Sequence, residues 1–280
     1  MNYLKYGIGI DMAKDKFDVC LSVINTTQQV TVKATSSFAN NLKGFLAFYA
    51  WSLKNMKEPL AVIYLLEATG IYHEQLAWFL FEQKCSVAVV LPNKARKYKE
   101  SLGLKSKTDS IDAKGLSRMA CEQRLKLWQP VSKKIYEMRI ITRQAEAVAA
   151  QITVAENQLH ALSYGMYPLK EIEKMLLKQI ELLSEQKEKM QQTLLGLVDK
   201  DAVLKEKFAN ILKIKGLGAL SLATIIAETD GFALTENIAQ LTSYAGYDVV
   251  ENQSGNRTQE KQRYQRKETG TFGGPYTFRR

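Results

Sequence analysis

Hydrophobic and polar positions change rhythm three times along the chain. From the N-terminus, residues 6–11 form a short apolar run. Residues 17–24 and 30–35 alternate apolar and polar side chains, the period of a strand with one buried face. Together they predict a three-stranded meander. Residues 40–54 place Leu42, Phe45, Leu46, Tyr49 and Leu53 at helical spacing. Residues 60–66 are continuously apolar, as in a strand buried on both faces. A helix over 73–83, a second buried strand over 86–91 and a helix over 110–124 follow, the last turning Ile111, Leu116 and Met119 inward. This first part, residues 1–128, reads as an α/β domain.

The rhythm then becomes wholly helical. Residues 129–207 are rich in Lys, Glu, Gln and Leu, and no proline occurs between Leu169 and Gly274. Leu162-Ser-Tyr-Gly165 and Pro168 split this stretch into two long helices, predicting a helical hairpin with coiled-coil character that serves as a spacer or an oligomerisation arm. Residues 208–258 read as a small all-α domain. Residues 259–280 are polar, basic and glycine-containing.

Composition narrows the function. The 280 residues carry 39 Lys and Arg against 29 Asp and Glu, a net charge of +10, and 46% are hydrophobic. That share supports a sizeable core and excludes wholesale disorder. The positive excess suits a polyanion, nucleic acid before an anionic membrane surface. No segment approaches the ~20 apolar residues of a membrane span, and the N-terminus lacks the regions of a signal peptide. Three dispersed cysteines imply no disulfide framework, so a cytoplasmic location is expected. With only His73 and His160, a bound metal would rest on carboxylates, which favours Mg²⁺ or Mn²⁺ over zinc.

Four acids stand where such a site needs them. Asp11 ends the first predicted strand, Glu67 ends the buried central one, and Asp109 and Asp112 lie three residues apart at a helix start. Taken singly, Asp109 is an N-cap, Asp112 a first-turn partner of the helix dipole, and Asp11 and Glu67 solvated strand ends. Taken together, in this order, they converge on paired divalent cations of the kind that drives phosphoryl transfer. Asp15 reads as turn chemistry and Asp18 as the polar face of a strand.

Basic residues concentrate between Lys84 and Lys107, with Lys94, Arg96, Lys97, Lys99, Lys105 and Lys107 as candidate phosphate contacts; the alternative is a solvated helix face. Ile214-Lys-Gly-Leu-Gly218 has the pattern of a helix-hairpin-helix, in which Lys215, Gly216 and Gly218 approach a phosphate; a tight interhelical turn explains it equally. Ser254 lies in a polar loop beside Arg257, and no His or Asp is placed to make a hydrolase triad with it.

Tyr6-Gly-Ile-Gly-Ile-Asp-Met-Ala-Lys14, Leu66-Glu-Ala-Thr-Gly-Ile-Tyr72, Lys107-Thr-Asp-Ser-Ile-Asp-Ala113, Ile214-Lys-Gly-Leu-Gly218 and Leu241-Thr-Ser-Tyr-Ala-Gly246 occur in an order that resembles the insertion-sequence 110 family of transposases, also called DEDD transposases. The resemblance covers roughly residues 5–258. It implies an RNase H-like (RuvC-like) N-terminal domain whose tetrad, here Asp11, Glu67, Asp109 and Asp112, binds Mg²⁺ or Mn²⁺. It implies a helical C-terminal transposase domain with a serine nucleophile, matched here by Ser254, that links covalently to DNA and is completed by the tetrad of a partner subunit. It also implies double-stranded donor and target DNA, a structured noncoding bridge RNA as guide, and a homodimer or homotetramer. The alternatives are a metal-dependent nuclease of branched DNA that uses the tetrad alone, and a non-catalytic nucleic-acid-binding remnant.

After Thr258 the chain is expected to leave the family pattern, in which a Ser-Lys-x-Gly segment and a helix with Arg-Arg-Ala-Leu follow. Permitted codons for residues 259–280, read in a shifted frame, yield such an ending. An out-of-frame tail is therefore expected, with poor order and weak or absent recombination. The gene's nucleotide sequence tests this reading.

Overall fold

The computed structural model describes residues 2–103, 109–214, 216–233 and 237–245. The chain divides between Pro130 and Val131 into two compact units. The first is mixed α/β with one five-stranded sheet; its elements are β1 (Tyr3–Met12), β2 (Lys16–Asn25), β3 (Val30–Ala39), α1 (Leu42–Asn55), β4 (Ala61–Glu67), α2 (Glu74–Glu82), β5 (Val87–Val90), α3 (Pro92–Ser101) and α4 (Asp109–Glu122). The sheet order is β3-β2-β1-β4-β5. The meander is present, with β1–β2 and β2–β3 antiparallel, while β4 and β5 join parallel to β1. Parallel pairs need crossovers, and α1 and α2 supply them.

Both sheet faces are covered. Tyr6, Ile8, Ile10, Phe17, Val19, Leu21, Tyr64 and Leu66 project to one face, against Phe45 and Phe48 of α1 and Leu76 and Leu80 of α2. Leu65, Ala88 and Val90 project to the other, against Ala95 of α3 and Leu116, Met119 and Ala120 of α4. Local chemistry sets the turns and helix starts. Asn25 Oδ1 accepts hydrogen bonds from the Thr27 and Gln29 amides (3.1 and 2.9 Å), closing the β2–β3 turn, in which Gln28 takes a φ of 63°. Asn41 caps α1 through the Gly44 amide (2.9 Å).

The second unit contains α5 (Lys133–Ser163), α6 (Lys170–Asp199), α7 (Ala202–Ile211), α8 (Ala219–Glu228) and α9 (Ile238–Tyr244). The α5–α6 hairpin breaks at the predicted place, and each arm of about 30 residues spans about 45 Å. Asp201, just past the second arm, caps α7 through the Val203 and Leu204 amides (3.0 and 3.1 Å). The base of the hairpin shares one apolar cluster with α7 and α8: Ile135 and Met138 of α5, Leu194 and Val198 of α6, Phe208 of α7, and Leu222 and Ile226 of α8.

Cys20, Cys85 and Cys121 are free thiols. Burial pushes the Cys121 thiol up to about 12. Among the described residues no helix is long and apolar enough to cross a membrane.

Candidate functional site

Strand alternation decides which side the acids face. The even positions of β1 enter the core beneath α1, so Gly7, Gly9 and Asp11 face the opposite side, where α4 lies. A Cβ at Gly9 would collide with the Ser117 amide nitrogen and the Ala113 carbonyl. One at Gly7 would lie 2.5 Å from the Ser117 carbonyl oxygen. The two glycines therefore let α4 rest directly on β1. A hydrogen bond between the buried hydroxyls of Ser22 and Ser117 (2.8 Å) fixes the helix against β2 as well. Ala113 thus sits over Gly9, and Asp112 precedes it at the end of the sheet where β1 and β4 terminate.

Ile10 and Leu66 are the last paired residues of those parallel strands. Asp11 and Glu67 each stand one residue beyond, on adjacent strands. Glu67 follows Leu65 on the face that packs against α4, as Asp11 follows Gly9. Three of the four predicted acids, Asp11, Glu67 and Asp112, therefore belong to one end of one sheet face. Asp109 opens α4, and its side chain lies outside the described residues.

Glu67 and Asp112 meet around Lys99. Its ammonium lies 2.8 Å from Asp112 Oδ1 and 3.5 Å from Glu67 Oε2, and the three side chains are only 15–16% exposed. Burial alone would lower the Lys99 pKa; the Asp112 hydrogen bond and the Glu67 charge outweigh it and hold Lys99 above its ordinary value. Helix α3, which carries Lys99, has a single buried side chain, Ala95. It is tied to α4 by the Tyr98 hydroxyl, which donates to Glu122 Oε2 (2.5 Å), while Arg118 Nε donates to Glu122 Oε1 (2.7 Å). Burial raises the Glu122 pKa, but these two donors outweigh it and keep the carboxyl below its usual range.

The remaining predicted residues are spread more widely. Lys94, Arg96 and Lys97 project from α3 into solvent, Arg96 within 3.7 Å of Glu100. Gly216 has a φ of 92° and Gly218 caps α8, so the turn between α7 and α8 requires the first glycine for its backbone. Lys105, Lys107, Lys215, Ser254 and the tail 259–280 lie outside the described residues.

Two further charged residues stand beside these acids. Asp18 sits directly opposite Asp11 in the β1–β2 register and pairs with Lys16 (3.2 Å). Only the register shows that it joins the acidic end. The basic pattern places Lys99 among the phosphate contacts, whereas in the structure it is the cation between two acids.

Among the described residues no three His, Cys, Asp or Glu side chains are gathered closely enough to hold a metal ion. The donor set that is present is all oxygen, partly dehydrated and already arranged about one positive charge. Carboxylate oxygens are the donor type that a hard divalent cation takes.

Residues 8–168 match a DEDD transposase family of the IS110 type, and residues 209–269 match the transposase family described as IS116/IS110/IS902. The second match extends past Thr258, where a departure was expected. The chain is similar to the pilin gene-inverting proteins of Moraxella bovis and Moraxella lacunata. Each is 28% identical over 248 residues, covering 89% of this chain and 73% of the relative. Among solved structures it is similar to T. thermophilus RuvC in complex with a Holliday junction substrate, with a TM-score of 0.31 and 10% identity over 40% of this chain and 90% of that one.

Proposed function

Because the chain belongs to the insertion-sequence 110 (IS110) family of transposases, we propose that it cuts and rejoins DNA strands during transposition. In this reading Asp11, Glu67, Asp109 and Asp112 hold Mg²⁺ or Mn²⁺, and Ser254 is the nucleophile. One observation carries it: Glu67 and Asp112 meet around a single positive charge at the end of a parallel strand pair. We read the first unit as an RNase H-like, RuvC-like domain. The order β3-β2-β1-β4-β5, with an antiparallel meander continued by two parallel strands, supports that reading.

The chemistry divides between the two halves of the chain. When bound, the divalent cation supplies a Lewis acid that stabilises charge on the transferring phosphate. The Glu67 and Asp112 carboxylates provide oxygen ligands and keep that charge local. Ser254 Oγ attacks a DNA phosphorus. The new Oγ–P bond forms as the bond to a sugar oxygen breaks, and the serine proton ends on the departing hydroxyl. The phosphoserine diester conserves the energy of the broken bond, so a second strand's hydroxyl can displace the serine and rejoin the chain. This favours recombination over hydrolysis.

The exposed Lys94, Arg96 and Lys97 supply a basic face for DNA phosphates or for a noncoding guide RNA, and the Gly216–Gly218 turn supplies a second phosphate contact. A second subunit brings the acids of one protomer to the serine of another. The hairpin tip, where Tyr164, Met166 and Tyr167 are each more than 80% exposed, supports the hairpin as an assembly element.

Strand cleavage of end-labelled DNA tests the reading. Asp112→Asn is expected to lower Mg²⁺-dependent cleavage about a thousandfold. Ser254→Ala is expected to abolish it. Cleavage that survives Ser254→Ala assigns the chain to metal-dependent nucleases instead.

A further inference from the structure

Lys99 occupies a place that a lysine serving only as a phosphate contact does not need. Its neighbours Lys94, Arg96 and Lys97 face solvent, whereas Lys99 is withdrawn with the two acids it bridges, at 2.8 and 3.5 Å. The placement is dictated by how α3 docks. Lys99 is four residues from Ala95, the one buried side chain of the helix, and so shares its inward face. The Tyr98–Glu122 hydrogen bond ties the same turn of α3 to α4, the helix that carries Asp112.

We propose that Lys99 is a built-in counter-cation of the acid site: it holds Glu67 and Asp112 together before a divalent cation binds, and it must leave them when the cation enters. The inference rests on the proposed role of these two carboxylates. Two carboxylates sharing a site repel each other, and a single ammonium offsets only one of their charges. A divalent ion offers twice the charge to the same oxygens, so it displaces the ammonium once its concentration is high enough. Lys99 therefore competes with the ion and sets the concentration at which the site fills. Its four-carbon stem then lets the released ammonium swing toward a DNA phosphate at the same site. Lys99 is a positioning residue, acting through Glu67 and Asp112.

Mn²⁺ binding to the full chain, followed by loss of the electron paramagnetic resonance signal of free Mn²⁺, tests this without any activity readout. Lys99→Met is expected to bind Mn²⁺ about tenfold more tightly than the wild type, because a competing charge has been removed. Lys99→Arg, which keeps the charge, is expected to stay within about threefold of the wild type. Without metal Lys99→Met is expected to melt lower than the wild type, and Mn²⁺ is expected to raise its melting temperature by more. Lys99→Gln serves as a second charge-free variant if Lys99→Met does not fold. Folded Lys99→Met or Lys99→Gln protein that binds Mn²⁺ no more tightly than the wild type overturns the inference. If the wild type binds and Asp112→Asn does not, that result leaves the acid site standing and removes only the counter-cation. If the wild type and the Lys99 variants are folded yet none binds Mn²⁺, the acid site and the counter-cation fall together.

Discussion

Gly7 and Gly9 set how closely α4 lies on β1, and Asp112 takes its position from that contact. Backbone atoms of α4 occupy the space that a side chain at Gly9 would need, and backbone does not yield as a flexible side chain does. Gly9→Ala is therefore expected to cost about 1–3 kcal/mol or more, measured by urea unfolding, and to weaken Mn²⁺ binding by lifting Asp112 away from Glu67. Gly7→Ala is expected to follow the same trend less severely. His73 makes a second prediction at this scale. It is buried, one ring nitrogen donates to the Gly70 carbonyl, and Nδ1 is without a hydrogen-bond partner among the described residues. Burial holds its pKa below the ordinary 6.5. Below about pH 6.5 the unfolded chain takes up a proton that the folded chain refuses, so stability falls as pH falls, by up to about 1.4 kcal/mol per pH unit. Urea midpoints measured from pH 7.5 to 5.5 are expected to show that decline, and His73→Gln is expected to remove the part due to this side chain. A decline identical in both proteins would locate it elsewhere.

Arginines hold the elements of the second unit together. Arg139, buried on α5, donates from Nε and Nη2 to the Ala227 carbonyl at the end of α8 (3.1 and 2.7 Å), and Arg143 grips Glu228 with two hydrogen bonds (2.8 and 2.9 Å). Cations at a helix C-terminus oppose its dipole and satisfy its last carbonyls. Arg139→Met is expected to destabilise the unit by about 2–3 kcal/mol, since it leaves a buried carbonyl without a donor. Arg143→Met, at a more exposed pair, is expected to cost about 1 kcal/mol or less. Thermal unfolding of the two variants gives the comparison. Elements whose periodicity reflects burial were legible in the sequence, among them the meander, the continuous run of β4 and the two arms of the hairpin. Helix α3 was not, because one buried residue, Ala95, makes no periodic signal. The positions of Asp11, Glu67 and Asp112 at strand ends and a helix start were legible. The positions of Asp18 and Lys99 beside them were not, because they depend on strand register and on which face of a polar helix docks. Asp11 and Asp18 face each other only through the β1–β2 pairing, and nothing in the spacing of the chain reports that.

At the scale of the whole molecule, a net charge of +10 and the solvent-facing Lys94, Arg96 and Lys97 predict that nucleic-acid binding is electrostatic first. Affinity for a DNA duplex is expected to fall steeply with salt, with a log–log slope of about −0.9 for each phosphate neutralised. The triple variant Lys94→Ala, Arg96→Ala, Lys97→Ala is expected to flatten that slope in a fluorescence anisotropy titration; an unchanged slope would assign the binding face elsewhere. In the proposed function the charge would bring the strands to the protein, the acids would hold a divalent cation at the phosphate, and Ser254 would store the broken bond. A covalent intermediate would join all three. Trapping it on a denaturing gel is the most direct test, using labelled DNA that spans the ends of the insertion sequence and RNA transcribed from its flanks. A protein–DNA adduct that forms with Mg²⁺, is lost with EDTA and is absent from both Asp112→Asn and Ser254→Ala is the predicted result. An adduct that persists in Ser254→Ala, or forms unchanged without a divalent cation, would contradict the account.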